Sequence, residues 1–354
     1  GIYVQSMAES FAKILGDDFL FIVRGEVPES LSKQMKVMGV KAGWRLRRGY
    51  YFLWIPINIF RSKWFSSEYI FLSTDPYLLA ILIFWRRIFR LKYKVSSDWH
   101  QMFDDWRDMY VASGSDVMFA TSERLKSLLI KKCHVPEERI VVAYGGVDTS
   151  LFHNKSSISK EELRRKLELR EEDFLVGFIG AFKSMGLLKG LDTMIKVLPL
   201  IDPAIKVVLV GARPLETREL GELANTLRVS NRAIVIPYQH YEQVVEYELA
   251  MDVLVIPYPD LPHFRDYGFP MKVWEYMATG VPIVYSNLGI MREVLDGHGT
   301  PFTPSDEHSL AKVINHMHTN YLDVKKIASK NRELVRNYSW DSRADTIIKT
   351  IKNN

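Results

Sequence analysis

Three side chains in this sequence combine a reactive type with a setting that could use it: Glu275, Lys189 and His100. Glu275 lies in residues 252–287, DVLVIPYPDLPHFRDYGFPMKVWEYMATGVPIVYSN. An apolar, β-branched run at 253–256 reads there as a buried parallel strand. Three prolines and Gly268 make a loop, and Pro270 opens a helix at 271–278. The loop is polar at its centre, with His263, Arg265, Asp266 and Tyr267. The helix start it delivers offers free N–H groups and a dipole to an anion, near Met271 and Lys272. Lys189 and Lys183 belong to GAFKSMGLLKG (180–190), a glycine-containing turn between a strand and a helix. Such a turn, beginning here at Gly180, lets backbone N–H groups approach a phosphate, and lysines add charge for a diphosphate. His100 follows a strand in SSDWHQMF, at the sheet edge where ligands gather in open α/β folds. Read alone, each has a plainer meaning: an exposed helix glutamate, two solvated lysines, a structural histidine.

The elements that must position these groups alternate. Strand candidates fall at 19–23, 69–72, 93–95, 117–120 and 140–143, then at 174–179, 206–211, 233–236, 253–256 and 281–285, with helical patterns between them. That alternation argues for parallel α/β sheets. At 354 residues the chain suits two domains. Residues 153–160, polar and serine-rich, read as a hinge. The composition, 47% hydrophobic and 25% charged, is globular, and a net charge of +5 favours anionic partners. The single cysteine, Cys133, excludes an internal disulfide and reads as a small buried residue in a reducing compartment. No run approaches the ~18 apolar residues of a membrane span. No ligand cluster has metal-site spacing, so no metal or bound cofactor is expected. No G-x-G-x-x-G with a later acid marks a nicotinamide dehydrogenase.

Two segments, 44–64 and 77–94, mix large aromatics with Arg and Lys and have almost no acid. They fit core-facing aromatics with solvated charges, or a surface lying on anionic lipid. A nucleic-acid patch is a third reading, and no nucleic-acid motif accompanies it.

The segment FPMKVWEYMATGVPIV (269–284) resembles the donor-binding segment of family 4 glycosyltransferases, retaining enzymes with the GT-B fold that use sugar nucleotides. Glu275 matches the second glutamate of that family's E-x7-E pair. Tyr267 stands at the first, with Asp266 beside it. Pro270, Met271 and Lys272 fit a variant with Pro-x-Lys before Glu-Tyr-Met-Ala. Gly146, Val147, Asp148 and Phe152 match a family run, and Lys189-Gly190 matches the Lys-Gly that opens the first donor-side helix. Ala181 replaces the arginine usual there, so Lys183 is its substitute. The resemblance is weak over residues 25–75, where acceptors are usually recognised.

The resemblance implies two Rossmann-like domains facing a cleft: 1–155 on the acceptor side, 165–335 for the nucleotide-sugar donor, and a terminal helix at 336–354 crossing back. Gly1 resembles the second glycine of a loop that follows the family's first strand, so that strand is expected to be absent and the N-terminal sheet to lack a central member. In this reading Lys189, with Lys183, offsets charge on a leaving diphosphate. Glu275 holds ribose hydroxyls, backbone groups at Gly180, Met271 and Lys272 hold sugar or phosphate, Tyr238 neighbours the base, and His100 touches the sugar. The expected partners are a nucleotide-diphosphate sugar, a glycan or lipid-linked acceptor and an anionic membrane, not nucleic acid. The place is cytoplasmic, on the inner face of the membrane. The rivals are a non-catalytic sugar-nucleotide-binding subunit and an epimerase of the same fold.

Overall fold

The computed structural model describes residues 2–24, 31, 33–40 and 47–353. Gly1, Trp44 and most of residues 25–46 lie outside them. The chain divides into two compact units, residues 1–146 with 340–354, and residues 147–339.

In the first unit, β1 (Phe21–Arg24) and β2 (Val37–Val40) form a parallel pair, and β3 (Ile70–Ser73), β4 (Lys94–Trp99), β5 (Val117–Ala120) and β6 (Ile140–Val142) form a parallel sheet in that order. Among the described residues no strand joins β1 to β3. β2 has no counterpart among the strands expected from sequence, because four residues with a glycine carry little pattern. The basic aromatic segments are helices, Arg47–Arg61 and Pro76–Phe89. The second starts where the Asp75 carboxylate accepts from Tyr77 N at 2.8 Å, with Pro76 in the first turn. β5 is buried along its whole length.

The terminal helix Trp340–Asn353 belongs to this unit and packs on helix Ile2–Leu15. Their junction is polar and buried. Arg343 Nη2 donates to Asp98 Oδ1 at 2.8 Å and Arg343 Nε to Ala143 O at 3.1 Å, while the Tyr3 hydroxyl donates to Asp98 Oδ2 at 2.6 Å. Burial alone would raise the Asp98 carboxyl, but Arg343 and His100 more than offset it and hold it well below the usual carboxylate range.

The second unit carries β7 (Phe174–Ile179), the short antiparallel pair β8 (Lys183–Ser184) and β9 (Leu187–Leu188), then β10 (Ile205–Ala212), β11 (Ala233–Pro237), β12 (Val253–Ile256), β13 (Ile283–Ser286) and β14 (Thr300–Phe302). The six long strands are all parallel, in the order β11-β10-β7-β12-β13-β14. The central strands are near-continuous apolar runs, as a sheet covered on both faces requires; Val207 to Val210 and Val253 to Ile256 are wholly buried. Asp252, entering β12, accepts from Leu175 N at 2.7 Å, Arg164 Nη2 at 2.6 Å and Lys160 Nζ at 2.7 Å, and so ties β7 and helix Lys160–Lys166 to that strand.

Residues 153–160 are not an extended hinge. Asp148 accepts from Ser150 N and Leu151 N, both at 3.1 Å, and starts helix Thr149–Lys155; Ser159 then caps Lys160–Lys166 through Glu162 N at 3.1 Å. The serine-rich composition reflects helix ends, where such side chains satisfy free N–H groups. The chain enters the second unit at Val147, whose N–H donates to Tyr338 O at 3.0 Å.

Candidate functional site

In the second unit, β10 and β12 flank β7 on opposite sides. The chain leaving β7 runs to β10 and the chain leaving β12 to β13, in opposite directions along the sheet, so the carboxyl ends of β7 and β12 form the switch point at which parallel α/β sheets bind ligands. The loops after these two strands bring Gly180, Lys189, Tyr258, Lys272 and Glu275 to this edge. A Cβ on Gly190 (φ 76°) would collide with Pro257 O, so only glycine lets the two loops touch.

Gly180 plays a related part. Its φ of 143° is open only to glycine, and an added Cβ would sit 2.6 Å from Lys272 Cε. The Lys272 side chain thus lies across the end of β7. Its helix, Lys272–Thr279, is fastened to the same strand end, because Ile179 N donates to the Tyr276 hydroxyl at 3.0 Å. The 257–271 loop is not wholly irregular: residues His263–Tyr267 form a single π-helical turn.

The charges here are buried and paired. Lys272 Nζ donates to Glu248 Oε1 at 2.8 Å and forms an ion pair with Glu275. Burial alone would lower the Lys272 ammonium, but Glu248 and Glu275 outweigh it and keep it charged, well above the usual lysine value. Among the described residues Lys189 has no such ion-pair partner. Burial, then the Lys272 charge, pushes it down to about 8, and its ammonium lies 5.5 Å from the Tyr258 ring centroid and 5.8 Å from that of Phe178. His263 Nε2 is 3.1 Å from Ser184 Oγ; burial, then Lys189, lowers its ring.

The structure thus brings Gly180, Lys189, Met271, Lys272 and Glu275 to one edge of one sheet. Lys183, in β8, faces Glu216 at 3.9 Å. Tyr238 follows β11 and is 72% exposed. Asp266, in the π-helical turn, lies 3.5 Å from Arg265 Nε. His100 is in the first unit, just past β4; its Nε2 is 3.5 Å from Asp98 Oδ2, and its ring meets Tyr3 edge-on at 4.4 Å. The structure adds Glu248, Tyr241 and Tyr258, which pattern reading missed. Burial, then Glu275 and Glu248, pushes the Tyr241 hydroxyl far above its usual value. The available signal was a pair of glutamates, 246 and 248, in the last turn before a buried strand.

Residues 159–334 match the family of glycosyl transferases group 1. That segment makes the chain a member of the family. Among curated relatives, a D-inositol 3-phosphate glycosyltransferase of Xylanimonas cellulosilytica is 26% identical over 246 residues, 67% of this chain and 57% of the relative. The putative teichuronic acid biosynthesis glycosyltransferase TuaH of Bacillus subtilis is 28% identical over 182 residues, 51% of this chain and 43% of that protein. The chain therefore spans little more than half the length of the curated relatives it matches. Solved structures share its fold over nearly all of both chains. Anabaena HepE in complex with UDP has a TM-score of 0.79 at 18% identity, covering 98% of this chain and 95% of that one. A glycosyltransferase from Rickettsia africae has a TM-score of 0.80 at 17% identity, covering 100% and 94%. The fold of this group 1 member is the two Rossmann-like α/β domains of the GT-B class.

Proposed function

We propose that the protein is a retaining glycosyltransferase of family 4 type that moves a hexosyl unit from a nucleoside diphosphate sugar to a glycan or lipid-linked acceptor, as in polysaccharide precursor synthesis. The observation that carries this reading is the cluster of Lys189, Lys272 and Glu275 at the switch point between β7 and β12. A half-buried lysine with no carboxylate bonded to it among the described residues suits an incoming anion. In the reaction the bond from the anomeric carbon to the diphosphate oxygen breaks, one to the acceptor oxygen forms, and the acceptor hydroxyl loses its proton. Lys189, with Lys183, offsets the charge growing on the diphosphate, and such preorganised electrostatics can be the largest catalytic contribution. Backbone groups at Gly180, Met271 and Lys272 hold phosphate or sugar, Glu275 accepts from ribose hydroxyls, and Tyr238 lies by the base. Asp266, beside the tyrosine at the first glutamate position, is a further donor contact. For His100 the role of touching the sugar rests on the sequence resemblance alone. The bound UDP in the HepE structure supports uracil as the base.

The site of action in this reading is an anionic membrane surface, the inner face of the cytoplasmic membrane. No helix among the described residues is long and apolar enough to cross a membrane. Instead Leu53 and Ile57 are each 62% exposed on helix Arg47–Arg61, and Ile88 is 58% exposed on Pro76–Phe89. Phe60 and Phe89 meet beside them, ring centroids 5.2 Å apart, and Arg61, Lys63, Arg87 and Arg90 are exposed around them. Apolar side chains ringed by cations suit the headgroup region of an anionic bilayer.

A thermal-shift series with UDP, GDP, ADP and their sugar conjugates tests the donor site, since a ligand that binds the native state raises the melting point by mass action. The reading expects a saturable shift with a uridine nucleotide. No shift with any nucleotide overturns it.

A further inference from the structure

We propose that Glu248 is a positioning residue of the donor site, its buried carboxyl fixing the Lys272 ammonium, and through it the Glu275 carboxylate, in the places a bound nucleoside diphosphate sugar needs. The inference rests on the donor-site reading above. Glu248 stands near the end of helix Tyr241–Ala250, inside the stretch that matches the family but in none of the motifs read from the sequence. Its side chain is wholly buried, and it receives Lys272 Nζ at 2.8 Å on Oε1. Oε2 is buried with no hydrogen-bond partner. A buried carboxylate has no place on this face without its lysine, and the lysine without Glu248 would have only Glu275 to pair with.

The arrangement fixes Lys272 from three directions. Glu248 holds the ammonium on one side and Glu275 on the other. The chain at Gly180 lies against Lys272 Cε, close enough that a single added carbon would clash. Glu275 therefore cannot rotate toward bulk solvent without losing its cation, and it stays aimed where ribose hydroxyls would meet it. With Glu248 replaced by an apolar side chain, Lys272 would be left to Glu275 alone. The ion pair with Glu275, already formed, would then have no anchor on its far side and could shift out of the place a ligand needs.

Two carboxylates share one ammonium, so both ionised would leave a buried net negative charge where a diphosphate must come. Burial raises the Glu248 carboxyl, and the Glu275 charge adds to that against the pull of Lys272. The Glu248 carboxyl is thus raised to about 8, so that near neutral pH the trio carries less negative charge than two bare carboxylates would bring. The other groups facing it are Tyr241 on its own helix and Tyr276 and Glu275 on helix Lys272–Thr279; Tyr258 after β12 and Lys189 on the loop after β7 face Lys272 and Glu275. The tyrosines are pushed to higher values by burial and stay neutral. Among these groups Glu248 and Lys189 change charge on the alkaline side, and both changes oppose an anion: one adds a negative charge and the other removes a positive one.

The test is calorimetric binding of UDP to the wild-type chain, Glu248→Gln and Glu248→Leu, each checked for folding by circular dichroism, over a series of pH values. Glu248→Leu should bind UDP roughly tenfold or more weakly at neutral pH, the scale of one lost hydrogen bond to a charged group. Glu248→Gln keeps the shape and an acceptor for Lys272, and should stay near wild type at neutral pH. On the alkaline side wild-type affinity should fall by up to about two log units per pH unit and Glu248→Gln by about one, because proton linkage counts the groups that titrate. If Glu248→Leu does not fold, the glutamine comparison decides. Wild-type binding with both variants equal to it at every pH overturns the role of Glu248 and leaves the donor site standing. Absence of UDP binding by the wild type overturns the donor site itself, and this inference with it.

Discussion

Lys189→Met is the most direct probe of the proposed site. Lys189 is pushed from 10.5 down to about 8, first by burial and then by Lys272. A displacement of that size corresponds to roughly 3 kcal/mol set against the charged form. A diphosphate beside it would reverse the balance by giving the ammonium a partner. At pH 8 about half of the unliganded molecules carry the Lys189 proton and nearly all liganded ones should, so Lys189 contributes about half a proton of uptake per site, beside the share of Glu248. Methionine has nearly the same length and no charge. The variant should therefore lose roughly 1.5–3 kcal/mol of UDP affinity, the worth of a hydrogen bond to a charged group, together with the Lys189 share of the proton uptake. Calorimetry in buffers of different ionisation enthalpy reads both. The unliganded variant should also be more stable than wild type at and below neutral pH. A lysine whose folded value is depressed contributes stability above its unfolded value, and that stability is lost as pH falls through about 8. The stability gap should close as the medium becomes alkaline. A variant that binds UDP with wild-type affinity and the same proton uptake would refute the argument, since Lys189 would then face no phosphate.

Other expectations follow from single contacts. Gly180→Ala puts a side chain at φ 143° against Lys272 Cε; it should cost about 1–3 kcal/mol in stability and weaken UDP binding as Lys272 is displaced, read by denaturation and calorimetry. Arg343→Met leaves Asp98 buried with Tyr3 and His100 but without its guanidinium, and should destabilise the first unit by about 3–5 kcal/mol; Asp98→Asn in the same chain should recover much of that loss. The paired Asp98 contributes its stability above the unfolded value of 3.8 and loses it as pH falls into the acid range, so wild type and Arg343→Met should converge in acid denaturation. Leu53→Glu with Ile57→Glu should abolish flotation of the protein with anionic vesicles at low salt; flotation equal to wild type would remove the membrane reading.

Much of the fold was legible because its elements carry local signals. The strands at 174–179, 206–211 and 253–256 are apolar runs that only a doubly covered sheet can bury. Helix starts announced themselves through side chains that satisfy free N–H groups, as Ser122 does for Leu125 N at 3.0 Å. Other features had no such signal. β2 is too short and too mixed to stand out, and residues 153–160 looked like a hinge because helix caps and linkers use the same polar residues. The basic aromatic segments proved to be helices, with Ile55 and Ile59 inward and Leu53 and Ile57 outward on one of them, a division between core and solvent that their composition alone did not give.

The sequence by itself determined which residues could attend an anion and where the chain must turn. Gly190 and Gly180 had to be glycines for local backbone reasons, Glu275 and Lys272 are one helical turn apart, and Lys189 opens a helix after a strand. The tertiary structure alone decided which of these groups are charged and which are held. Glu246 is buried because Lys155 at 2.6 Å and Lys166 at 2.7 Å reach it from two other helices, and Glu248 because Lys272 does. Strand order brought the loops after β7 and β12 to one edge, although 77 residues separate Ile179 from Ile256 in the chain. Burial and charge pairing depend on groups far apart in sequence, and no local pattern encodes them.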